Sequence, residues 1–291
     1  TNAVKGAPLL VTKQHLENGM AQAVICNSGN ANTCNANGVE IAEQMCTLVS
    51  EHLHIDAKDV LVASTGVIGK VLDIQPIAEG IPPLVKSLGM NSKDAAHAIM
   101  TTDTTIKEIA VEFEVGGVVC RLGGIAKGSG MIHPDMATML VFLTTDCAIS
   151  AKMLKKALSS DVTQTFNMLS IDGDTSTNDM VTVMANGLAG NAEISEEGKA
   201  FDTFMKALNT VTVHLCRSIA ADGEGATKLL ECVVTGAKDE AQAKIAAKSV
   251  VCSSLLKAAM FGADANWGRV LCALGYSKAG IDPQTVDVSF R

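Results

Sequence analysis

Aromatic side chains are scarce in this chain: Phe, Tyr and Trp together make up 3% of 291 residues, with a single Trp and a single Tyr. The core must therefore be aliphatic, built from Ala, Val, Leu and Met. Positive charge is also thin. Lys and Arg number 23 against 31 Asp and Glu, for a net charge of −8, and no basic run exceeds two residues. That balance excludes a phosphate-backbone partner and argues against nucleic-acid binding. Long hydrophobic runs are missing as well: hydrophobic residues make up 47% of the chain, yet none of its runs approaches the ~18 residues of a spanning helix. The chain reads as soluble, with no membrane partner.

Nine cysteines are present, but no C-x-x-C pair. An odd count without ligand spacing argues against both a disulfide framework and a zinc site, so no metal is implied. Most of them sit among Val, Ile, Leu and Ala and read as reduced, buried, small hydrophobes in a cytoplasmic compartment. The first residues, Thr1 to Pro8, lack an apolar signal core and an initiator Met, which suggests that part of the chain is absent. What is present suffices for a sizeable core, and the apolar excess is compatible with a large permanent interface.

Runs of β-formers alternate with helical patterns. Residues 8–12, 21–26, 60–63, 139–144, 181–185 and 229–235 read as strands, the second ending in an Asn/Gly/Ser cluster over 27–37. Ile41, Ala42, Met45, Cys46, Leu48, Val49 and Leu53 recur at helical spacing. Helical patterns also cover 74–88, interrupted by Pro82-Pro83, then 94–100, 151–158, 196–221 and 239–260. Residues 106–115 and 118–122 flank Gly116-Gly117, a hairpin signal. Mixed strands, helices and hairpins give an α/β chain without a purely parallel, doubly wound sheet.

The densest signal lies between Lys127 and Leu140. A glycine-rich loop, Gly128-Ser129-Gly130, precedes Pro134, Asp135, Met136, Ala137 and Thr138, and an apolar strand follows. A small residue before Thr, between such a loop and a strand, is the pattern of a self-cleaving nucleophile. Breaking the Ala137–Thr138 bond would give Thr138 a free α-amine beside its hydroxyl, uniting nucleophile and general base. The β-branch restricts χ1 and helps hold Oγ in place. An ordinary strand threonine is the alternative.

The run from Lys127 to Leu140 resembles the glutamate N-acetyltransferase family, also called ornithine acetyltransferases, whose precursors cut themselves between Ala and Thr. Four further blocks agree in order: Asn27-Ser28-Gly29-Asn30-Ala31-Asn32, Ser64-Thr65-Gly66-Val67-Ile68-Gly69, Asp172 through Asp179, and Asp264-Ala265-Asn266-Trp267-Gly268-Arg269. The resemblance implies an α/β/β/α layered sandwich with the nucleophile at the start of a central strand. It also implies an α chain over 1–137 and a β chain over 138–291, intertwined as one catalytic unit. Members usually extend beyond both ends of this sequence.

By the same resemblance Thr65 and Gly66 form the oxyanion hole, although a plain turn would also follow a buried strand there. Lys127, otherwise an exposed loop lysine, belongs to the substrate site. So does Thr101, with Thr102 as the alternative if the register slips. Glu224, in a C-cap turn, partners a substrate ammonium, with Asp222 as its nearest competitor. His133 and Asp135 suggest a triad with Thr138, but they stand too close in sequence for convergence to be assumed. The Asp172 to Asp179 segment lacks the closing Glu of a calcium loop and reads as a structural turn; Trp267 and Arg269 read as packing.

The activity so implied is ping-pong transfer of acetyl from N2-acetylornithine to glutamate through an acetyl-threonine enzyme in arginine biosynthesis. It needs no cofactor, with acetyl-CoA open as a second donor, and implies an α2β2 assembly. An N-terminal-nucleophile aminopeptidase or amidase is one rival, with water as acceptor. An uncleaved, non-enzymatic amino-acid-binding paralogue is the other.

Overall fold

The computed structural model describes residues 2–133 and 139–291. Its first element is helix α1 (Ala7–His15), where the sequence suggested a strand over 8–12. Pro8 sits in the first turn, where a missing N–H costs nothing. The buried residues Ala7, Pro8, Val11, Thr12 and His15 recur at three-to-four spacing. A five-residue apolar run cannot be assigned by periodicity alone, and here the helical face won.

Strands β1 (Ala23–Asn27) and β2 (Val60–Ser64) pair in parallel around helix α2 (Gly38–Leu53), as the βα pattern predicts. Every residue of β2 is buried. Side chains of α1 bond to its backbone: Thr12 Oγ1 donates to the Val62 carbonyl at 2.7 Å and accepts from the Val62 amide at 2.9 Å. His15 Nδ1 lies 2.8 Å from the Val60 carbonyl. Helix α3 (Gln75–Lys86) runs unbroken through Pro82 and Pro83, contrary to the expected interruption. Fully buried Ile81 anchors it to the core around α2, with Ile77 and Val85 packed alongside. Helix α4 (Ser92–Ala98) follows.

The predicted hairpin is β3 (Lys107–Val115) and β4 (Val118–Lys127), turning on Gly116 and Gly117 at φ +60° and +84°. Two consecutive positive φ values give the tight turn whose twist matches the flanking strands. Strand β5 (Leu140–Thr145) pairs antiparallel with β4, and β6 (Met180–Ala185) pairs in parallel with β5. Helix α5 (Ala151–Val162) lies between β5 and β6 in the chain. The order β3-β4-β5-β6 makes a mixed sheet.

Alternation along the strands stacks the layers. In β5, Val141 and Leu143 face a core with Phe204, Leu208 and Leu215 of helix α6 (Lys199–Ala221). Leu140 and Phe142 face the other way, meeting Ala63 of β2, Cys26 of β1 and Leu9 of α1. In β2, Val60 and Val62 turn toward Ala42, Met45, Cys46 and Val49 of α2. The sequence of layers is thus helix, four-stranded sheet, two-stranded sheet, helix. Aliphatic residues dominate it, and Phe113 packs against Phe204 at 6.0 Å.

The expected helix over 239–260 is two, α7 (Glu240–Val251) and α8 (Ser254–Phe261). Ser253 breaks the run and caps α8, its Oγ accepting from Leu256 N. Helix α9 (Trp267–Gly275) completes the order. Residues 229–235, expected as a strand, alternate in exposure but have no strand to pair with among the described residues. Cys46, Cys120 and Cys147 are buried as expected, whereas Cys34 and Cys272 are exposed. Among the described residues no helix is long and apolar enough to cross a membrane.

Candidate active site

Three strand ends converge at one end of the four-stranded sheet. Lys127 ends β4, Leu140 begins β5 and Met180 begins β6, and the register sets Lys127, Leu140 and Met180 in one row. Met139 and Asp179 lie one residue before the latter two. The ends of β1 and β2 face this row across the layer through Ala63 and Cys26. Ala137, Thr138 and the bond between them fall outside the described residues, as does Asp135. Their described neighbours are His133 on one side and Met139 on the other.

Lys127 is not an exposed loop lysine. It is the last residue of β4 and 2% exposed, with Nζ 3.4 Å from Thr65 Oγ1. Burial pulls its ammonium below the ordinary lysine value, opposed by Asp103, Cys26 and Asp179. The contrast with Lys107 is informative. Lys107 is equally buried but bonds Asp103 at 2.7 Å and Asp222 at 2.6 Å. Lys127 has no ion pair among the described residues. A buried cation whose hydrogen-bond partner is a neutral hydroxyl lacks the direct ion pair that would offset its burial, and an incoming carboxylate would supply one.

Thr65 and Gly66 continue from β2. Thr65 is buried, and its amide donates to the Asn27 carbonyl at 2.9 Å. A charged lysine can only donate, so Thr65 Oγ1 accepts from Lys127 and keeps its own O–H free to point at another oxygen. Gly66 sits at φ +124°, and a Cβ there would lie 2.7 Å from the Gly29 carbonyl carbon. The position excludes side chains both by conformation and by space. Gly66→Ala should therefore destabilise by at least about 2 kcal/mol in urea unfolding; a change below about 0.5 kcal/mol would contradict this packing.

The glycine loop is held by carboxylates whose role spacing did not reveal. Asp103 is buried and accepts from the Gly128 amide at 2.7 Å, from Lys107 and from the Thr101 amide at 3.2 Å. Burial raises its carboxyl, but these donors outweigh that and hold it below the ordinary value. Thr101 is thereby tied to the loop, while its side chain, like that of Thr102, is exposed. Asp222 is occupied by Lys107 and by Thr104 and Thr105. It is a structural partner rather than a competitor of Glu224.

Glu224 is the free carboxylate of the pair. Its amide donates to the Ser129 carbonyl at 2.9 Å. Its side chain covers Gly130 so closely that a Cβ there would lie 2.5 Å from Oε1. No hydrogen-bond or ion-pair partner engages that carboxylate among the described residues, which leaves it available to a cation.

The segment from Asp172 to Asp179 is a structural turn, and it brackets the junction from both sides. Asp172 accepts from the amides of Met131 and Ile132, with Met131 at φ +56°. Asn178 donates to the carbonyls of Ala31 and Ser64, at 2.6 and 2.9 Å. Asp179 accepts from the Met139 amide at 3.0 Å. Burial pushes its carboxyl up to about 8, against the pull of that amide and of Lys127. His133 turns Nδ1 toward Ser170 Oγ at 3.2 Å and Cys252 Sγ at 3.9 Å. Trp267 is 64% exposed, so the packing reading fails for it, while Arg269 bonds the Leu255 carbonyl. Among the described residues no cluster of three or more His, Cys, Asp or Glu could hold a metal.

The ArgJ family model matches residues 1–291. The arginine biosynthesis bifunctional protein ArgJ 1 of Clostridium acetobutylicum is 51% identical over 292 residues, covering all of this chain and 72% of that one. That of Listeria monocytogenes serovar 1/2a is 49% identical over 289 residues, covering 99% and 72%. Among solved structures, the argJ protein of Bacillus halodurans superposes at TM-score 0.47 with 50% identity, over 48% of this chain and 66% of that one. A Mycobacterium tuberculosis ornithine acetyltransferase complexed with ornithine gives 0.41 and 33%, over 48% and 74%. These superpositions take in about half of this chain, so the assignment rests on sequence: the chain belongs to the ArgJ family.

Proposed function

We propose that this chain transfers acetyl from N2-acetylornithine to glutamate in arginine biosynthesis, through an acetyl enzyme on Thr138 formed after self-cleavage at Ala137–Thr138. The observation that carries the reading is Lys127, buried without an ion pair among the described residues at the end of β4, opposite the first residue of β5 and beside Thr65. Membership of a family whose relatives are named for arginine biosynthesis agrees with it.

The chemistry follows from the groups present. Thr138 Oγ attacks the acetyl carbonyl of acetylornithine, with its α-amine as base. The Thr65 hydroxyl and the Gly66 amide donate to the developing oxyanion, each worth about 3 kcal/mol in such sites. Ornithine leaves, and the α-amine of glutamate then attacks the ester and regenerates Thr138. Lys127 holds the α-carboxylate that both amino acids carry. Glu224 reads the side-chain ammonium of ornithine, a charge that glutamate lacks. No metal or redox cofactor is needed. Cytoplasm is the compartment, and the assembly is α2β2.

The test is mass spectrometry after incubation with N-acetylornithine alone, which should find one acetyl group on the fragment beginning at Thr138. Thr138→Ala should leave one uncut chain. Two fragments from Thr138→Ala, or no acetylated fragment from the wild type, would remove the nucleophile from this position.

A further inference from the structure

We infer that Asp179 carries the proton in the cleavage of the Ala137–Thr138 bond. The inference rests on Thr138 being the nucleophile and adds a residue to that step. Asp179 is 6% exposed and stands immediately before β6. Its Oδ1 accepts from the Met139 amide at 3.0 Å, while Oδ2 is buried without a hydrogen-bond partner among the described residues. A buried carboxyl oxygen left bare is uncommon and costly, and calls for an explanation. The Met139 nitrogen is three covalent bonds from the Thr138 nitrogen, so the anchored carboxyl stands within one residue of the bond that breaks. Asn178, next in the chain, is fixed to Ala31 and Ser64 and holds the segment in place.

The charge acting on Asp179 among the described residues is that of Lys127 on β4, with Asp103 and Cys26 acting in turn on Lys127. Burial prevails over them, so the carboxyl keeps its proton at neutral pH. In the acyl shift, Thr138 Oγ bonds to the Ala137 carbonyl carbon and the C–N bond to Thr138 breaks. Asp179 gives its proton to the leaving nitrogen and regains one from the hydroxyl, so it ends unchanged. Water then adds to the ester, releasing the Ala137 carboxyl and restoring the Thr138 hydroxyl.

Cell-free synthesis of the full chain, followed on denaturing gels from pH 6 to 9, tests this. Asp179→Asn keeps the acceptor for Met139 but cannot give up a proton in the same way. It should cleave roughly 10²- to 10⁴-fold more slowly than wild type at pH 7. The ratio of the two rates should shrink as pH rises through about 8 and wild-type Asp179 ionises. A ratio near one at pH 7, or one that is large but independent of pH as a purely structural role would give, overturns the inference. Should Asp179→Asn fail to fold, judged by its thermal melt against Thr138→Ala, the wild-type profile decides: a rate that does not fall between pH 7 and 9 overturns it. Cleavage of Thr138→Ala would instead sink the nucleophile itself. An intact Thr138→Ala beside a normally cut Asp179→Asn sinks only the role of Asp179.

Discussion

Lys107→Met should cost the fold about 3–5 kcal/mol, the usual result of removing one member of a buried ion cluster. The substitution keeps the volume but strands Asp103 and Asp222, both of which bond Lys107 Nζ. The damage should spread to the active site, because Asp103 also holds the Gly128 amide. Its sign with pH follows from the carboxyls. Burial raises both, but their hydrogen bonds and Lys107 win and hold them below the ordinary range. Wild type therefore gains this stability above the unfolded carboxylate pKa of about 4 and loses it as pH falls further. Urea unfolding should show a wide gap between wild type and variant at pH 7 that narrows in acid. A gap of equal size at pH 7 and pH 3.5 would mean that the charges contribute little.

Lys127→Met should separate function from stability. Acetyl transfer should fall by about two to three orders of magnitude in kcat/KM, the loss expected when a buried charge that grips a substrate carboxylate is removed. Self-cleavage should persist, because no free amino acid is bound in that step. The melting temperature should hold or rise, since the variant removes a buried cation with no ion pair among the described residues. Near-normal transfer would place the substrate carboxylate elsewhere. A large drop in melting temperature would show that Lys127 is already compensated in the free protein.

Strong local patterns were legible. The hairpin on Gly116-Gly117, the amphipathic α2 and the buried β2 all follow from spacing and turn chemistry. Short or polar segments were not. Residues 8–12 satisfy both a strand and a helix, and only contact with β2 through Thr12 and His15 decides. Residues 229–235 have strand alternation, but a strand needs a partner edge and the pattern cannot say whether one exists. In the site, the family resemblance pointed to Thr65, Gly66, Thr101, Lys127 and Glu224, yet could not show that Lys127 is buried. Asp103 and Asp179 escaped notice because they act on backbone amides, and an acidic residue that caps an amide looks like any surface carboxylate until its partner is known.

The ladder between β4 and β5 has a consequence for a chain cut at residue 137. Six residue pairs, from Leu122 opposite Thr145 to Lys127 opposite Leu140, would join two separate polypeptides. Each fragment would carry two strands of a sheet that needs all four. Reassembly after denaturation would then be second order. Its midpoint would shift with protein concentration, and an excess of either fragment would drive recovery of the other, behaviour that the uncut Thr138→Ala chain would not share.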